Sequence, residues 1–199
     1  MIQRRAFTLV ELLAVMAVAG VLMALVLPAF QSIGDAAKIR QAAAGVIDQV
    51  DAARQWAEVN GATVELRLLR APGQTHYTGI QMWSGDGNLI LDKPVGLPDG
   101  VAILANSDLS PLLERMSSPE PMPGAASPTA ESRWAGGEFA AFRVRPSGAI
   151  ELRPAAAGPQ SAGLFITVAP DRPTGGVTPV NYATIQINPD TARPLLYRP

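Results

Sequence analysis

Few residues in this chain are of a type that does chemistry. One histidine, His76, and no cysteine occur in 199 residues. That removes disulfides, thiolate nucleophiles and cysteine-based zinc sites, and it leaves no second imidazole for a paired-histidine metal centre. His76 stands beside Tyr77 and could act as an acid or base, but no G-x-S-x-G or comparable nucleophile motif accompanies it. The simpler expectation is a histidine on a strand surface. Asp86-Gly87-Asn88 with Asp92 is rich in oxygen ligands, yet it lacks the spacing of a calcium loop and reads as a hairpin turn. Arg143, Arg145 and Arg153, joined by Arg193 and Arg198, form a candidate basic face for phosphates. Acidic neighbours and a net charge of −1 oppose that use. No catalytic residue, cofactor or metal is expected, and the chain is not expected to be an enzyme.

The remaining candidate is a carboxylate in an apolar setting. Phe7-Thr8-Leu9-Val10-Glu11 follows a short leader with Arg4 and Arg5 and opens residues 7–30, in which Glu11 is the only ionisable group. As a helix these residues would extend roughly 36 Å, enough to cross a bilayer. An unpaired carboxylate inside such a helix costs ~2.5–3.5 kcal/mol or more, so its placement calls for a partner or a function. The small residue Ala6 precedes the apolar stretch, whereas a secretory signal carries its cleavage site after it. Cleavage at Ala6 would therefore leave the anchor in place.

These residues resemble the type IV prepilin cleavage and methylation motif shared by type IV pilins and type II secretion pseudopilins. The resemblance implies that a prepilin peptidase cuts between Ala6 and Phe7 and methylates the new amine of Phe7. It also implies that Glu11, fifth in the mature chain, pairs with the N-terminal ammonium of a neighbouring subunit during assembly. Pro28 matches the proline at which pilin helices loosen on filament assembly, and it removes one i to i−4 hydrogen bond. Ala6 departs from the family, which usually has Gly there. The partners implied are prepilin peptidase, other pilin or pseudopilin subunits and an inner-membrane assembly platform.

Four elements must position these residues: a leader at 1–6, a transmembrane and assembly helix at 7–30, its amphipathic continuation at 31–60, and a β-rich globular domain at 61–199. In the continuation, Ile39, Ala43, Val46, Val50, Ala53 and Ala57 recur at helical spacing, with Lys38, Arg40, Gln41, Asp48, Gln49, Asp51, Arg54 and Glu58 on other faces. This stripe predicts packing on the domain's own sheet, and Asn60-Gly61 predicts the helix end. Strands are expected at 63–69, 76–83, 89–91, 101–104, 139–145, 149–153, 164–169 and 182–188, in a meandering antiparallel sheet. In the first of these, Val64, Leu66 and Leu68 alternate with Glu65 and Arg67, the signature of a half-buried strand. In the last, Ala183, Ile185 and Ile187 are expected to face the core. A short helix is expected at 109–116. Residues 117–132, with Pro119, Pro121, Pro123 and Pro128, are expected to form an exposed, mobile loop. The fold class is α+β.

The globular part is also similar to the GspH/FimT-like minor pseudopilin group, through Phe142-Arg143-Val144-Arg145-Pro146-Ser147-Gly148. It resembles the Verru_Chthon cassette protein D family through Leu97-Pro98-Asp99-Gly100-Val101, Leu109-Ser110-Pro111-Leu112-Leu113, Asn181-Tyr182-Ala183-Thr184-Ile185-Gln186-Ile187 and Tyr197-Arg198-Pro199. These resemblances imply a structural subunit of a pilus-like or type II secretion-like filament, anchored once in a bacterial inner membrane with its C-terminal domain in the periplasm. Two alternatives stand beside it: a FimT-like minor pilin that captures DNA, and a plain membrane-anchored binding protein. For DNA capture, Thr191-Ala192-Arg193-Pro194 occupies the place of an expected Gly-Arg pair with a single Arg. Nucleic acid is accordingly not expected as a partner.

Overall fold

The computed structural model describes residues 9–90, 93–106, 108–116, 120–122, 133–152, 163–172 and 179–198, without the side chains of residues 25–33 and 114. In chain order the elements are α1 (Leu9–Asn60), β1 (Val64–Arg70), β2 (Gly79–Ser84), β3 (Val95–Gly96), β4 (Val101–Ile103), α2 (Pro111–Glu114), β5 (Glu120–Pro121), β6 (Glu138–Val144), β7 (Ile150–Leu152), β8 (Leu164–Pro170), β9 (Ala183–Ile187) and β10 (Pro194–Tyr197). The class is α+β, as expected. The chain divides into two units, Met1–Ala37 and Lys38–Pro199.

In the second unit, α1 buries the face that the periodicity marks. Ile39, Ala43, Val46, Val50, Ala53 and Ala57 have no exposed surface, and Ala42 joins them. Alanines dominate this stripe, so the helix backbone comes close to what it packs on, while Arg40, Gln41, Asp48 and Glu58 stay in solvent. Arg54 bridges Asp51 at 3.6 Å and Glu58 at 4.0 Å along the wet side. At the C-terminus Gly61 takes φ +63°, which lets the Ala62 N–H reach back to the Ala57 carbonyl, and the Asn60 amide caps the Trp56 carbonyl at 2.8 Å. Those contacts satisfy carbonyls that the helix leaves open.

The strands form two antiparallel sheets rather than the single meander expected. One has the order β3-β2-β1-β6-β5, with β7 also on β6; the other has β10-β9-β8-β4. Alternation of apolar residues assigns faces but not neighbours, and the decisive pairing, β1 with β6, joins segments about seventy residues apart in sequence. On the inner face Leu66 lies between Met82 and Phe142, and Leu68 between Ile80 and Ala140. On the second sheet Ile166 faces Ile185, and Val168 lies between Ala183 and Ile103. These side chains and the α1 stripe form one continuous apolar cluster. The face assignment of Ala183, Ile185 and Ile187 holds: all are buried.

Several elements depart from expectation for local reasons. Of the strand expected at 89–91, Leu89 makes a bridge to Trp83, Ile90 is not in a strand, and residue 91 lies outside the described residues. The helix expected at 109–116 shortens to α2, with Pro111 at its first turn. Ser110 does not cap it; its Oγ accepts the Thr167 N–H at 3.0 Å instead. β3, β5 and β10 are too short, or too interrupted by proline, to show a period.

The Pro-rich loop is likewise corrected in part. Glu120 and Pro121 pair with Phe139 and Glu138, and Met122 is buried against Leu69, Trp134, Phe139 and Ala141. Pro121 fits because an edge strand can spare its donor. The rest of 117–132 lies outside the described residues.

Trp134 lies over Gly79, where an added Cβ would sit 2.4 Å from the indole ring, and its Nε1 donates to Thr78 Oγ1 at 3.0 Å. Gly79→Ala is therefore expected to lower stability by about 1–3 kcal/mol through overpacking. Urea unfolding of the full chain in detergent reads this, and an unchanged midpoint would contradict the packing described.

Candidate assembly site

Within the first unit the side chains of residues 9–24 of α1 are all exposed. Leu9 and Val10 are about three-quarters exposed, and Leu12, Leu13, Val15, Met16, Val18, Val21, Leu22 and Met23 are each more than half exposed. Leu, Met and Ala favour helix, so the local conformation follows from composition. A helix that is apolar on every side and still exposed has no face turned to water by design. Glu11 is the acidic residue of its first turn, where the helix dipole favours negative charge.

Ala6 and Phe7 lie outside the described residues. Pro28 lies within the span of α1, where its missing N–H leaves the Ala24 carbonyl without an intrahelical donor. Among the described residues no helix is long and apolar enough to cross a membrane. The described part of the apolar run is sixteen residues long, 9–24, with Glu11 among them, against the ~20 positions a bilayer core needs.

Residues 1–27 match the family of the prokaryotic N-terminal methylation motif. The match covers Ala6, Phe7 and Glu11 and ends one residue before Pro28. No curated protein and no solved structure gives a significant match to the chain.

The other candidates divide differently. His76 accepts the Ala105 N–H on Nδ1 at 3.1 Å, which ties the strand-flanking segment down. Residues 84–88 close a turn: Ser84 N–H bonds to the Asn88 carbonyl at 2.7 Å, Gly87 N–H to the Ser84 carbonyl at 2.9 Å, and Gly87 has φ +85°. Asp92 and Arg153 lie outside the described residues.

The arginines do not present one open basic face. Arg143 donates to Glu65 Oε2 at 3.1 Å, and Arg145 lies 3.0 Å from Glu151. Arg193 lines a cleft of about 220 Å³ that also contains Glu58. Arg198 borders a separate groove on the four-stranded sheet.

Glu65 is the largest departure from the half-buried reading of β1. Its side chain is only 4% exposed, because the outer face of its sheet is covered rather than wet. Arg67 lies between the rings of Trp83 and Phe139, 4.2 Å from each centroid, and its Nε donates to Glu65 Oε1 at 2.8 Å. Each carboxylate oxygen thus receives one guanidinium. Burial pushes the carboxyl up, but Arg67 and Arg143 together outweigh it and hold it below its usual value near 4.5. The free acid of the unfolded chain takes up its proton first, so this contribution is complete above about pH 4.5 and is lost as pH falls through the lowered folded value. Glu65→Gln is expected to cost roughly 3 kcal/mol at neutral pH, since two arginines lose their counter-charge. The same variant is expected to flatten the acid limb of the stability profile. Unfolding midpoints from pH 3 to pH 7 check both, and an acid limb as steep as in the native chain contradicts the assignment.

Proposed function

We propose that this chain is a structural subunit, a minor pilin or pseudopilin, of a type IV pilus-like or type II secretion-like filament. In this reading prepilin peptidase cuts between Ala6 and Phe7 and methylates Phe7. Residues 7–30 hold the chain in the inner membrane, with residues 61–199 in the periplasm, until an assembly platform passes it to other subunits. The reading is carried by one coincidence: the methylation motif falls on the start of α1, where residues 9–24 are exposed on all sides and, Glu11 apart, carry no charged or polar side chain. Such a surface requires an apolar environment, which lipid supplies before assembly and the helices of sister subunits supply after it. The role is one of assembly rather than catalysis.

Glu11 has a physical task in this scheme. Inside a helical bundle without water, a carboxylate costs too much unless a cation meets it. The methylated amine of Phe7 keeps its positive charge and can meet Glu11 of the next subunit. Arginine pairing on the globular unit disfavours the alternative of DNA capture, since Arg143 and Arg145 already have carboxylate partners.

Two measurements test this. Co-expression with prepilin peptidase is expected to yield a mature chain starting at N-methyl-Phe7 by intact mass, and an uncut Met1 start in the presence of active enzyme refutes the pathway. Glu11→Ala is expected to be inserted and cleaved normally but to fall by more than about tenfold in sheared filaments. Undiminished incorporation would remove the pairing argument.

A further inference from the structure

The outer face of the four-stranded sheet carries a groove of about 580 Å³ lined by Phe165, Tyr182, Thr184, Gln186, Tyr197 and Arg198. Phe165 stands opposite Gln186, and Thr184 opposite Tyr197, so three adjacent strands build one floor. Three of the six residues are aromatic, none is acidic, and Tyr197 is about half exposed. The volume falls in the range of small-ligand sites.

Hydrogen-bond accounting fixes the polarity that the floor offers. Tyr197 O–H donates to Gln186 Oε1 at 2.9 Å, which leaves the amide N–H groups as what Gln186 has to donate. Thr167 Oγ1 gives its proton to the Leu109 carbonyl, so in its 3.0 Å contact with Thr184 the Thr184 hydroxyl is the donor. Thr184 Oγ1 then keeps lone pairs for a ligand. The site combines a donor, an acceptor and one cation among flat rings.

Main-chain groups in the floor are occupied by the ladder between β8, β9 and β10, so a ligand there is held by side chains alone. The nearby edge begins at Pro194, which has no N–H to offer, so an extended peptide gains little by adding to it. Pyranose rings suit the floor: their C–H faces stack on aromatic rings, and their hydroxyls both donate and accept. Arg198, with no acid among the described residues that line the groove, favours a carboxylated sugar. We propose that this groove binds an acidic glycan, a chain of uronic-acid pyranosides stacked on Tyr182 and Tyr197 with a carboxylate at Arg198.

The test is titration calorimetry on the full chain in a zwitterionic detergent without sugar headgroups. The probes are an oligogalacturonate, a neutral cello-oligosaccharide and a Pro-rich peptide. Saturable binding of the oligogalacturonate is expected, weakened about tenfold by Tyr197→Ala or Tyr182→Ala and largely retained by Tyr197→Phe. Arg198→Gln is expected to abolish the preference for the acidic over the neutral sugar, and added salt to reduce it. Unchanged circular dichroism shows that these variants are folded. The proposal is overturned by no saturable binding of the oligogalacturonate, by binding indifferent to Tyr197→Ala, or by equal or tighter binding of the neutral sugar or the peptide.

Discussion

The fold rests on the burial of one narrow stripe of α1, from Ile39 to Ala57, into a core that both sheets share. Four of its positions are alanine, at 42, 43, 53 and 57, so the contact gains little area per residue and depends on close approach instead. The partners across it are large: Leu66, Leu68 and Phe142 from one sheet, Ile166 and Ile185 from the other. Small against large is the complementarity that lets a helix backbone settle on side chains without voids. It also explains the sharp stop at Gly61, because the chain must leave the helix directly into the central strand β1.

That central strand is covered on both faces, and its second face shows how a charge is kept inside. Glu65 would be costly there alone, but Arg67 and Arg143 each meet one of its oxygens, and Trp83 and Phe139 enclose the Arg67 guanidinium. Arginine suits this place because its planar group stacks on rings while its edge donates. The pairing has a functional consequence. Of the residues that would make a basic hairpin, Arg143 is engaged in holding β6 to β1 and Arg145 in pairing with Glu151, and the surface left for partners lies elsewhere.

What lies elsewhere is of two kinds. Residues 9–24 expose apolar surface that Glu11 interrupts, and Glu11 provides the polar feature by which an apolar helix could set its register against a like helix. The outer face of the four-stranded sheet instead combines rings with polar side chains, the composition of a recognition surface rather than of a core. One unit is thus suited to assembly and the other to display.

Features that depend on spacing along one chain are legible before any fold is known. These are the methylation motif, the apolar run with Glu11, the stripe from Ile39 to Ala57, the stop at Asn60-Gly61, the turn at Gly87, and the inward residues of β9. Each is set by the 3.6 or 2.0 residue period or by a glycine's access to positive φ, which local sequence encodes directly. Packing between distant segments settles which strands are neighbours, that there are two sheets, that Glu65 is buried, that Pro121 and Met122 are docked, and that Phe165, Tyr182 and Tyr197 share a groove. Outward alternation of Thr184 and Gln186 hinted at that groove, but not at what would stand beside them. The physical reason is the same throughout: a strand's pattern tells which side faces the core, whereas its partners and the covering of its far side are supplied by residues distant in sequence, chosen by packing.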